Sequence, residues 1–178
     1  MIDFKPSINF WHDFKSNQTA GMWLFFGSRR SLQIVRPSIL QLIFWGILGG
    51  LANTLFSWLS AGETGDFNPQ GLVSYALWPF IALIVGIFLS QRVNNPRLML
   101  VPALLWLVLD THIALLQSLI QYLGMIDVLP YVFYDYLPLI FMVLFVWQSL
   151  AVVWVFSREL KWPWWERALI VLATLFTL

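Results

Sequence analysis

The chain has 178 residues, of which 60% are hydrophobic, 17% aromatic and 11% charged, with a net charge of +1 at pH 7. Soluble domains carry roughly 25% charged and 45 to 50% apolar residues, so a chain of mean hydropathy +0.75 has too little polar surface for water and belongs in a lipid bilayer. The near-neutral charge argues against a nucleic-acid partner, and the lack of cysteine excludes disulfides, thiolate nucleophiles and cysteine metal sites.

The opening residues MIDFKPSINFWHDFK mix acids with lysines and have no apolar core ahead of a small-residue cleavage site. They are not a secretory signal, and the first span is expected to act as an uncleaved anchor. Residues 1–36 form a cytoplasmic N-terminal segment. In it Phe10, Trp11, Phe14, Met22, Trp23, Phe25 and Phe26 alternate with His12, Asp13, Lys15, Arg29 and Arg30. That mixture fits a short amphipathic segment at the membrane interface, or an aromatic lead-in to the first span.

Residues 37–178 form the transmembrane domain, with expected spans at about 37–60, 72–90, 98–123, 132–157 and 164–178. Pro37 opens the first, where its missing N–H costs nothing. At ~100° per residue, Gly46, Gly49, Gly50, Asn53 and Ser57 share one face of that helix. Gly46-x-x-x-Gly50 is the small-residue spacing that lets helices approach closely. In the second span Pro79, Ala82, Gly86 and Ser90 line a comparable stripe, and Pro79 is expected to kink it. The fourth holds Pro138 and Gln148, with Tyr131, Tyr134 and Tyr136 at one end and Trp154 at the other as interface anchors. The fifth run, after the aromatic belt Trp162 to Trp165, is shorter than the ~20 residues a crossing helix needs. Either the last helix ends within the bilayer or, the favoured expectation, the natural chain continues past Leu178.

Basic residues alternate by side. Lys5, Lys15, Arg29, Arg30 and Arg36 precede span one, Arg92 and Arg97 follow span two, and Arg158, Lys161 and Arg167 follow span four. The connections 61–71 and 124–131 contain none. By the positive-inside rule the N-terminus is cytoplasmic and those two connections face outward. The fold class expected is an all-α integral membrane protein, a bundle of about five helices.

The third span carries a carboxylate, Asp110, near its midpoint and His112 close behind. An ionised group at that depth costs roughly 3 kcal/mol on insertion scales, so it faces protein or water. Ala114, Gln117 and Gln121 lie on the Asp110 side, while His112 points to nearly the opposite face. A helix polar on two faces belongs at the centre of the bundle. Three readings of Asp110 stand open: a protonatable group on a proton or cation path, a neutral acid hydrogen-bonded to Asn53, Gln148 or a backbone carbonyl, or a site reached by outside water. His112 makes no metal site by itself. The sequence has no HExxH, P-loop, GxGxxG or Ser/His/Asp spacing that supports catalysis, and no cofactor is implied.

The pattern Asn17-QTAGMWLFFGSRR, followed by the first span and Phe67-Asn68-Pro69-Gln70-Gly71-Leu72, resembles the multi-span N-terminal region of bacterial membrane proteins bearing a legumain-like peptidase domain on the outer side. It is more loosely similar to the Yip-type five-span family. The resemblance implies a membrane anchor whose catalysis would lie beyond Leu178. The reading is a non-catalytic inner-membrane anchor, scaffold or accessory subunit, with the bilayer and other membrane subunits or further copies of itself as partners. The alternative is a small proton- or ion-coupled transporter component using Asp110.

Overall fold

The computed structural model describes residues 9–61, 70–130, 132–160 and 163. Among them every regular element is helical: α1 (Phe10–Phe25), α2 (Arg30–Ile34), α3 (Ile39–Ala61), α4 (Gln70–Val93), a 3₁₀ turn (Pro96–Met99), α5 (Val101–Met125) and α6 (Val132–Glu159). The fifth apolar run, the acidic connection after α3 and Tyr131 lie outside the described residues. So does Met1 to Ile8 at the N-terminus.

Helix ends follow from side-chain chemistry. Asn9 caps α1, its Oδ1 accepting from the amides of Trp11 at 3.1 Å and His12 at 3.3 Å. Asn95 does the same for the 3₁₀ turn, accepting from the Arg97 amide at 3.2 Å. Three helices stop in the same way, with one left-handed residue: Gly27 (φ 62) after α1, Asn94 (φ 53) after α4 and Asp127 (φ 55) after α5. In each case the next amide reaches back to a carbonyl five residues earlier: Ser28 to Trp23 at 2.9 Å, Asn95 to Ser90 at 2.9 Å, Val128 to Leu123 at 3.1 Å. Both α4 and α6 continue through an internal proline, Pro79 and Pro138.

Among the described residues three helices are long and apolar enough to cross a membrane: Ile39–Ala61, Pro96–Met125 and Tyr136–Arg158. The described apolar part of α4, Leu77–Val93, is shorter than a crossing. The three differ in surroundings. The apolar window of the Pro96–Met125 helix is 72% buried, against 22% for α3 and 24% for the Tyr136–Arg158 helix. Every residue from Val101 to Leu109 is buried, so α5 is the axis on which the others are laid.

Two close approaches set that packing. A Cβ on Gly86 would collide with the carbonyl group and Cα of Met99, so α4 presses its backbone on the 3₁₀ turn. Trp78 stacks on Trp106 at 6.3 Å, so α4 runs antiparallel to the start of α5. A Cβ on Gly21 would collide with the Val108 side chain, bringing α1 against the middle of α5. The buried stripe of α1 is Asp13, Asn17, Ala20, Gly21 and Leu24, one face at helical spacing. The N-terminal segment thus shares the core of the bundle.

Gly46 differs from the expectation of close contact, because a Cβ there meets no atom within 4 Å. The Gly46-x-x-x-Gly50 spacing points to a face, but none of the described helices fills it at Gly46. Gly49 is buried, and the Gly50 carbonyl accepts from Thr54 within the same helix at 2.8 Å.

Candidate functional site

The polar residues of the spans meet where α3, α5 and α6 touch. Asn53 on α3 donates through Nδ2 to Asp110 Oδ2 at 2.9 Å and to the Gly49 carbonyl at 3.0 Å. Gln148 on α6, 1% exposed, donates through Nε2 to Asp110 Oδ1 at 3.3 Å. The Asn53 amide orientation is fixed by chemistry. The Gly49 carbonyl can only accept, so the nitrogen must face it, and the same nitrogen faces Asp110. Both oxygens of Asp110 therefore accept from neutral amides on two other helices. Among the described residues no lysine or arginine forms an ion pair with it.

Of the residues singled out from sequence, Asn53, Asp110 and Gln148 come together. His112 takes another direction: its Nδ1 bonds the Val108 carbonyl at 2.6 Å and its ring stacks on Trp45 at 5.8 Å. Because that carbonyl accepts only, Nδ1 carries the proton. Trp45 in turn stacks on Phe14 at 5.1 Å, so three rings link α1, α3 and α5. Gln117, two turns past Asp110, is half-buried on α5. Thr111 and Ser118 bond carbonyls of their own helix at 2.7 and 2.8 Å, which satisfies a hydroxyl without a partner helix.

A second polar junction was not anticipated from the sequence. Asn17 on α1, fully buried, donates to the Arg36 carbonyl at 3.1 Å and to Gln41 Oε1 at 3.2 Å, and accepts from the Arg36 amide at 2.8 Å. Gln41 reaches back to the Phe10 carbonyl at 3.1 Å. Asp13 lies beside them, its Oδ1 3.9 Å from Arg36 Nε and 3.8 Å from His12 Nδ1. The signal was present as the stripe Asp13, Asn17, Ala20, Gly21, Leu24, which repeats at helical spacing on one face of the segment.

The first junction offers a carboxylate inside an apolar bundle, each of whose oxygens accepts from the N–H of an amide on another helix. Such a group can hold a proton or a monovalent cation, and it can lock three helices together. Among the described residues no three His, Asp or Glu side chains gather into a metal-binding group. No protein-family model matches the chain, nor does any curated protein or solved structure.

Proposed function

We propose that the chain is a non-catalytic, polytopic membrane protein that serves as an anchor, scaffold or accessory subunit within a larger membrane assembly. The observation that carries this reading is the contrast between a sheathed α5 and the outward faces of α3 and α4. Ile39, Leu40, Ile43, Ile47, Leu51 and Trp58 are exposed on α3, a continuous apolar surface that water would not tolerate and lipid or partner helices would. In this reading α4 and the run 164–178 also cross. The N-terminus and the Arg92 to Arg97 connection then lie in the cytoplasm, and the resemblance in the N-terminal region is what suggests a bacterial inner membrane as the setting.

The test has two parts. After alkaline carbonate washing the protein is expected to stay in the membrane pellet; release into the wash defeats the reading. A reporter fused near Gly65 is expected on the outer side, and a cytoplasmic signal there overturns the topology.

Asp110 favours a second reading, a proton- or cation-coupled component, because the carboxylate is held by neutral amides alone. In that case liposomes containing wild type would pass protons or sodium ions, and Asp110→Asn would abolish the flux. Equal flux in both, or none in either, leaves the carboxylate a structural role.

A further inference from the structure

Two segments far apart in sequence meet at one end of the bundle. The turn that closes α1 lies against α6: a Cβ on Gly27 would stand 3.4 Å from Trp154 Cδ1 and 3.9 Å from its Nε1. The Phe25 carbonyl, left without an intrahelical partner at the helix end, accepts from Trp147 Nε1 at 2.7 Å. Trp147 and Trp154 are two turns apart and share one face of α6, so together they seat the turn.

Two arginines flank this junction, with a third next to one of them in sequence. The Arg158 guanidinium lies over the Trp154 ring at 5.4 Å, and that of Arg30 lies over Trp23 at 5.0 Å. The Trp23 carbonyl in turn accepts from the Ser28 amide of the same turn. Arg29 is adjacent, and all three arginines are exposed. Among the described residues none of these three arginines forms an ion pair. A guanidinium laid on an indole is held by its face, while its N–H donors stay at the edge, free for a planar or tetrahedral anion.

The level of the junction is set by α6. Arg158 is the last residue of the apolar helix Tyr136–Arg158, so it marks where that helix leaves hydrocarbon, at headgroup depth, and the α1 turn packed on Trp154 lies beside that level. Phe26 and Trp154, 68% and 54% exposed, stand beside them as apolar neighbours for acyl chains. Tryptophan with arginine at this depth is the chemistry of the bilayer interface.

We propose that Arg30 and Arg158, held on Trp23 and Trp154, bind the headgroup phosphate of an anionic phospholipid together with the neighbouring Arg29. The inference rests on the chain being membrane-embedded.

Native mass spectrometry of the full chain, equilibrated with equal phosphatidylglycerol and phosphatidylcholine, tests it. Wild type is expected to retain phosphatidylglycerol in preference, and each Arg→Gln change to lower that retention about fivefold. Equal retention by wild type and the triple variant Arg29→Gln, Arg30→Gln, Arg158→Gln overturns the proposal, as does a wild type indifferent to headgroup charge. Displacement of phosphatidylglycerol by millimolar inorganic phosphate would overturn the lipid as the source of the anion. If the triple variant fails to fold, Arg158→Gln alone is read by the same ratio. Release of wild type by alkaline carbonate would defeat the membrane reading, whereas retention without lipid preference would defeat only this site.

Discussion

A methyl group on Gly86 would run into the backbone of Met99, which cannot rotate aside as a side chain can. Gly86→Ala is therefore expected to force α4 off the 3₁₀ turn and to lower stability by about 1 to 3 kcal/mol. The same change at Gly46, where a Cβ meets nothing within 4 Å, is expected to leave the thermal midpoint of the detergent-solubilised protein unchanged. Comparing the two melting curves checks both. Gly21 lies between these cases, because its obstacle is the Val108 side chain. Gly21→Ala is expected to destabilise, and Val108→Ala in the same chain to recover most of the loss. Hydrogen bonds between membrane helices are worth about 0.6 kcal/mol on average and rarely more than ~1.7. Asn53→Ala, which removes the donor shared by Gly49 and Asp110, is accordingly expected to cost about 1 kcal/mol, measured by the same melting curves.

At the scale of elements, α1 depends on one buried amide. Asn17 satisfies both backbone groups of Arg36 and the Gln41 side chain. Its loss strands buried polar groups at about 1 to 3 kcal/mol each. Asn17→Ala is expected to release α1 and α2 while α5 stays protected, seen as faster hydrogen exchange confined to residues 10–34. Exchange that quickens equally in α5 would show that the bundle does not tolerate the loss of α1.

The helices themselves were legible in sequence. The spans expected at 37–60 and 132–157 correspond to Ile39–Ala61 and Val132–Glu159, because long apolar runs admit little else. The third needed one amendment: Pro96 to Met99 winds as a 3₁₀ turn before α5 begins, which the hydropathy pattern does not distinguish. Asn53 and Gln148 were identifiable as partners for Asp110, since amides inside apolar spans need a polar partner and Asp110 is a carboxylate near the middle of one. Which faces meet was not legible. The small-residue stripe of α4 marked Gly86, where a close contact falls, but no spacing marked Gly21, and Gly46 on α3 meets nothing within 4 Å. Periodicity reports one helix at a time, and the bond from Trp147 to Phe25 spans 122 residues.

For the molecule as a whole, the arrangement is one inner helix clothed by others whose outer surfaces are apolar. Spin labels introduced at Ile47, 61% exposed, and at Leu104, fully buried, should separate sharply. The first is expected to show high accessibility to dissolved oxygen in bilayers and the second almost none. Similar values at both positions would mean that α5 is not enclosed. The same measurement at Trp58 on the far end of α3 would show whether its outward face meets lipid or a partner helix, since a partner would exclude oxygen there too.

The seating of α1 on helices made much later also has a consequence in time. Phe25 leaves the ribosome 122 residues before Trp147, whose indole covers its carbonyl. At about 5 to 20 residues per second, that is a delay of roughly 6 to 24 s. Throughout this interval the first helix has no α5 or α6 to lie against, and Asn17 can engage only the start of α3. The nascent chain must hold a polar-striped helix at the membrane surface until its seat is synthesised, so this protein should be unusually sensitive to slowed translation between α3 and α6.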